Sequence, residues 1–165
     1  MTLDFGCGTG CELRWLNRVW GASLQNLIGY DYKPNLVELG FDLYLDWGKW
    51  DKCFITDNPD WLRAENVFFN IYSGSVIRAL SGKKEAREYL NTTFKMLRSN
   101  GVFFGQTIGK SEVGTIGQNH PRFLSTKTGL HNLLSDAGFT AIEIKSEPML
   151  DGMERFWFYA EINKN

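Results

Sequence analysis

Apolar residues recur along the 165-residue chain with two different spacings. Short runs rich in Phe, Ile and Val alternate with segments in which apolar side chains return every three or four positions, the periods of strand and helix. The strand-like runs are Met1 to Phe5, Leu27 to Tyr30, Lys52 to Thr56, Asn66 to Tyr72 and Val102 to Ile108, with a closing pair at Thr140 to Lys145 and Arg155 to Ile162. Between them, Leu13, Leu16 and Val19 form the apolar face of a helix beginning near Cys11. Leu36, Leu39, Leu43 and Trp47 form that of a second helix, opening at Pro34, where a missing N–H is harmless. A third helix, Lys83 to Leu97, places Ala86, Leu90, Phe94 and Leu97 near one face, and Gly138 ends a fourth, Lys127 to Ala137. Asn100-Gly101 is expected to stop the third helix, with Gly101 taking a positive φ.

This alternation predicts an α/β fold, a mostly parallel sheet whose last two strands, joined around Asp151-Gly152, are antiparallel. No repeat, low-complexity tract or linker interrupts it, so residues 1–165 read as a single domain. With 18 basic against 19 acidic residues, the chain lacks the electrostatic footprint of a nucleic-acid binder. Its 43% hydrophobic content, with 12 Phe, 6 Tyr and 6 Trp, suffices for one core. Trp15, Trp20, Trp47, Trp50 and Trp61 read as core and rim packing rather than an aromatic cage. The longest apolar stretches fall far short of the ~20 residues of a membrane span. No secretory signal is apparent, so a cytoplasmic location is expected, with Cys7, Cys11 and Cys53 as free thiols. The cysteines and the two histidines, His120 and His131, lack metal-site spacing, and no metal is expected.

The chemistry concentrates after the first strand. Gly6, Gly8 and Gly10 form a strand-to-helix turn of the kind that lets a ligand approach the backbone. Asp31 ends the next strand 21 residues after Gly10, where an acidic side chain grips a ribose diol, and Asp57 ends the strand after that. Asp-Asn-Pro-Asp around Asp57 is also an ordinary turn sequence. A nicotinamide or flavin site would want a third glycine where Cys11 stands, and Asp4, two residues before Gly6, would repel a pyrophosphate. A cationic ligand fits better.

Leu3-Asp4-Phe5-Gly6-Cys7-Gly8-Thr9-Gly10 and Gly29-Tyr30-Asp31-Tyr32-Lys33-Pro34-Asn35 resemble the first two motifs of the class I S-adenosylmethionine-dependent methyltransferases. The resemblance continues through Ile55-Thr56-Asp57, Val67 to Ala79 and Met96-Leu97-Arg98-Ser99-Asn100-Gly101. Leu39-Gly40-Phe41-Asp42-Leu43 and Phe104-Gly105-Gln106-Thr107-Ile108-Gly109 resemble, more narrowly, methyltransferases of fungal meroterpenoid and polyketide biosynthesis. The resemblance implies a Rossmann-like sheet with helices on both faces, S-adenosylmethionine as cofactor, S-adenosylhomocysteine as product, and a small-molecule acceptor. It also implies roles for residues. Asp4 and the backbone of Gly6, Cys7 and Gly8, with Gly10 closing the turn, would hold the methionine end; Asp31 the ribose; Asp57 the adenine amino group; Tyr32 and Asn58 the adenine faces. Ile71 and Tyr72 would lie beside the sulfonium, and Tyr72 or the loop residue His120 would be placed for catalysis. Arg78 stands where many such enzymes carry a histidine, and a guanidinium is no general base at neutral pH. Because such enzymes usually carry helices before the first strand, this chain is expected to lack that amino-terminal cap. A non-catalytic binding or scaffolding module is the alternative.

Overall fold

The computed structural model describes residues 1–55, 62–110, 114–116 and 122–164. A seven-stranded sheet organises them, built from β1 (Thr2–Phe5), β2 (Leu27–Tyr30), β3 (Phe54–Ile55), β4 (Phe68–Gly74), β5 (Leu97–Lys110), β8 (Thr140–Pro148) and β9 (Met153–Glu161) in the order β3-β2-β1-β4-β5-β9-β8. The pairs from β3 to β5 are parallel, whereas β9 runs antiparallel to both β5 and β8, as the alternation predicts. Strand order reverses between β1 and β4, which opens a crevice beyond their carboxyl ends.

The helices divide between two faces. α3 (Val76–Ala79), α4 (Lys83–Met96) and α5 (Lys127–Asp136) cover one, over a core that includes Leu3, Ile71, Leu90, Phe103, Leu134 and Phe158. α1 (Cys11–Trp20) and α2 (Pro34–Tyr44) cover the other only over β1–β3, with Cys7, Leu13, Leu27, Val37, Phe41, Trp50 and Cys53 beneath them. Two short strands, β6 (Gly114–Ile116) and β7 (Arg122–Leu124), make a separate antiparallel hairpin in the stretch read from sequence as a loop.

Several expectations are corrected. On α2 the buried face is Val37, Gly40 and Phe41, while Leu39, Leu43 and Trp47 are exposed. Gly40 sets that orientation: a β-carbon there would overlap the Thr9 carbonyl, so close backbone approach outweighs the more apolar stripe. On α1, Leu13 is buried but Val19 faces solvent, and Arg14 occupies the inner face instead. Of the tryptophans, Trp50 is core, Trp15, Trp20 and Trp47 are exposed, and Trp61 lies outside the described residues. After α4 the left-handed residue is Asn100 (φ 61°), not Gly101. Gly101 is needed for space, since a β-carbon would sit 2.7 Å from the Arg98 carbonyl oxygen.

Candidate functional site

The β1–α1 turn is built by three left-handed glycines, Gly6, Gly8 and Gly10 (φ 91°, 55° and 71°). A side chain at Gly6 would strike Val76 and one at Gly10 would strike Phe54, whereas Gly8 faces open space. Gly8 is the position where a ligand can lie against the backbone. The N–H groups of Gly6 and Cys7 donate to the Tyr30 carbonyl (2.7 and 3.0 Å), so the loop leans on β2. Gly8 N–H donates to Asp31 Oδ2 (2.8 Å), and Lys33 N–H donates to Oδ1 (2.9 Å). Two backbone bonds thus orient the Asp31 carboxylate, and each oxygen keeps a further lone pair for a hydroxyl. The Cys7 side chain packs into the smaller core, where burial pushes its thiol pKa up.

Asp4 has no such satisfaction. It is 3% exposed and its Oδ2 has no hydrogen-bond partner. Burial, then the charges of Glu12 and Asp31, raise its pKa well above the carboxylate range. Across the ladder Asp4 is in register with Tyr72, so both side chains lie on the α1 side of the sheet. The Tyr72 hydroxyl is pushed up to about 12 by burial, Glu12 and Asp4, which keeps it protonated as a hydrogen-bond donor. Tyr72, Phe104, Trp157 and Tyr159 floor a groove of about 870 Å³ on that side, with Glu143 and Lys145 at its edge. On the opposite side of β1, Gly6, Tyr30, Tyr32, Leu62, Val76 and Leu80 line a largely apolar cavity of about 410 Å³.

The structure therefore brings together Asp4, Gly6, Gly8, Asp31, Tyr32 and Tyr72. Ile71 does not join them. β4 extends two residues past Tyr72, which leaves Ile71 mid-strand and fully buried in the larger core, one pleat away from Tyr72's face. Asp57, Asn58 and His120 lie outside the described residues. His131 is exposed on α5, and the Cys11 thiol, bonded to Glu12 (2.8 Å), is raised to about 11 by burial and that carboxylate, the reverse of an activated thiol. Among the described residues no group of three or more His, Cys, Asp or Glu could hold a metal. Sequence reasoning missed Glu12, Tyr89 and the pair Arg14 and Asp46. The buried Tyr89 hydroxyl lies 2.8 Å from Ser73 Oγ and 3.2 Å from the Phe5 carbonyl, bracing the ends of β1 and β4.

The same fold recurs in solved structures. Phosphoethanolamine N-methyltransferase 2 of Haemonchus contortus, held with S-adenosylmethionine, superposes with a TM-score of 0.75 at 13% identity, over 99% of this chain and 48% of that one. The fold is that of the S-adenosylmethionine-dependent methyltransferases. A Burkholderia thailandensis 1,6-didemethyltoxoflavin-N1-methyltransferase with bound S-adenosylhomocysteine shares this methyltransferase fold (TM-score 0.75, 19% identity, 99% of this chain and 71% of that one). So does the [4+2]-cyclase SpnF (TM-score 0.75, 16% identity, 99% of this chain and 74% of that one). Methyltransferases named adrK from Penicillium roqueforti and Penicillium rubens are 54% and 52% identical over 44 residues, 27% of this chain. That match spans 16% of their own length, and the chain spans about half of the Haemonchus enzyme. No family model matches the sequence.

Proposed function

We propose that the chain binds S-adenosylmethionine across the carboxyl ends of β1, β2 and β4 and transfers its methyl group to an oxygen of a small apolar secondary metabolite. The observation that carries this reading is the orphaned, buried Asp4 Oδ2 beside Tyr72, with two further carboxylates near it. Such a spot rejects a pyrophosphate and suits a ligand carrying an ammonium and a sulfonium. Asp31 grips the ribose diol through its two oriented oxygens, and Gly8 lets the ligand lie against the loop. Tyr32 walls the adenine from the apolar cavity. Bound there, the cofactor supplies an electrophilic methyl group whose departing sulfide needs no acid. The chain's own residues then contribute alignment, with Tyr72 donating a hydrogen bond that orients the acceptor, which reacts as a carboxylate or phenolate oxygen that has already given its proton to water. The short, high-identity segment shared with two fungal methyltransferases supports methyl transfer as the activity.

A second reading is a module of methyltransferase fold that transfers no methyl group. A [4+2]-cyclase with this fold favours keeping it, because the architecture alone does not dictate transfer. Calorimetric titration of the chain with S-adenosylmethionine and S-adenosylhomocysteine tests the site. Binding is expected, weakened roughly tenfold or more in Asp31→Ala because one side chain both orders the loop and holds the ribose. Absence of binding by the folded chain refutes the proposal. Binding without transfer of a labelled methyl group to any hydroxylated or carboxylated acceptor favours the second reading.

A further inference from the structure

The glycine loop is gripped from two sides, and Asp31 grips it from the crevice. From behind, Arg14 Nη1 donates to the carbonyls of Thr9 (2.6 Å) and Gly10 (3.3 Å). The other edge of the same guanidinium is bidentate to Asp46, Nε to Oδ2 at 2.7 Å and Nη2 to Oδ1 at 2.8 Å. Arg14 is 7% exposed, and its charge lies 4.6–5.6 Å from the ring centres of Phe41, Tyr44, Trp50 and Phe54. The Thr9 carbonyl is thereby caught between Arg14 and Gly40 of α2, and Gly10 leaves no room for a β-carbon between Phe54 and Arg14.

A buried ion pair is a poor stabiliser, because desolvation consumes most of the attraction and well-packed apolar residues often do as well. This one ends on the two carbonyls of the ligand-facing loop. A planar fork with five donors serves four acceptors here, both Asp46 oxygens and two carbonyls; a lysine ammonium has only three donors. We propose that Arg14 and Asp46 are a positioning pair that holds Gly8 and Gly10 left-handed, and so keeps the Gly8 backbone open to the cofactor without touching it. The inference rests on the cofactor reading above, and its test separates the two.

The test combines amide spectra of the ¹⁵N-labelled 165-residue chain without ligand and calorimetric titration with S-adenosylhomocysteine, well below each variant's unfolding temperature. Arg14→Lys and Asp46→Asn are expected to move the Gly8, Thr9 and Gly10 amide signals and to weaken binding roughly tenfold, the scale of losing a charge-assisted bidentate contact. The double variant should bind no worse than the weaker single, since both act through one contact. Asp136→Asn, which breaks the exposed pair with Arg87, should change neither readout. Variants that lose thermal stability yet keep wild-type affinity and loop signals would overturn the proposal. Should Arg14→Lys not fold, Asp46→Asn, the same shape without the charge, decides alone. If the wild-type chain does not bind S-adenosylhomocysteine, the cofactor reading fails, and unmoved loop signals would still refute the positioning role.

Discussion

The two faces of the sheet are built differently. On the α3–α5 side, the described residues include a continuous apolar core of twenty buried side chains, in which Phe103 stacks against Phe139 and Phe158 with ring centres 5.3 and 4.9 Å apart. On the α1–α2 side the core has seven members among the described residues, and the buried polar side chains Asp4, Arg14 and Asp31 cluster there or at its rim. One face makes the fold stable enough for the other to hold a buried carboxyl oxygen without a hydrogen-bond partner and a turn of three left-handed glycines. The local rule of satisfaction is broken at Asp4, where a ligand is expected, and among the described residues also at Thr107 Oγ1 and Arg155 Nε on β5 and β9.

The largest effect should come from the apolar face. Phe103→Ala removes a fully buried ring at its centre and should cost about 3–5 kcal/mol, read as a lower urea midpoint. Leu13→Ala, equally buried in the smaller core, should cost nearer 2 kcal/mol, because exposed α1 and α2 surfaces let that side relax. An equal or larger loss at Leu13 would erase the distinction between a stabilising face and a functional one.

Asp4 should behave in the opposite sense to a core residue. Its folded-state pKa is raised, chiefly by burial, so the folded chain holds a proton that the unfolded chain releases. Stability is therefore lost as pH climbs from the ordinary carboxylate value of about 3.9 toward the folded value. Asp4→Asn should match the ligand-free wild type near pH 4 and exceed it at neutral pH, while binding S-adenosylmethionine more weakly. Urea titrations of both proteins at the two pH values read this directly. A difference that does not depend on pH would mean that Asp4 is not the strained group.

What was legible in the sequence follows from the range of each interaction. The β1–turn–α1–β2 unit and Asp31 could be read because a glycine turn, a helix start and a strand end are each signalled within a few residues. The direction of β9 and the ending of α5 at Gly138 (φ 101°) were legible for the same reason. The face of α2 was not, since it depends on Gly40 meeting Thr9 from another element. That Tyr72 and not Ile71 shares the Asp4 face was not legible either, since it depends on which pleat of β4 pairs with Asp4. Arg14 and Asp46 are 32 residues apart, and the only local hint was an arginine beside Leu13 on an otherwise apolar helical face.

The smallest expected effect concerns how the helices end. α5 passes its last turn into Gly138, whose N–H donates to the Ser135 carbonyl, so the left-handed step is taken without steric cost. α2 makes the same kind of step at Leu45 (φ 51°), a residue 89% exposed, with its N–H on the Phe41 carbonyl. A leucine there keeps the cost of a β-carbon in the left-handed region, roughly 1–2 kcal/mol, and gains almost no burial in return. Glycine removes that cost but adds freedom to the unfolded chain, so Leu45→Gly should stabilise by about 0.5–1 kcal/mol. The change lies one residue before Asp46, so the affinity for S-adenosylhomocysteine should be read beside the urea midpoint. A gain in midpoint with unchanged affinity would mean that the backbone turn and the Arg14–Asp46 contact are independent. A gain accompanied by weaker binding would mean that the strained leucine helps set the aspartate, and that the functional face uses strain even at its helix end.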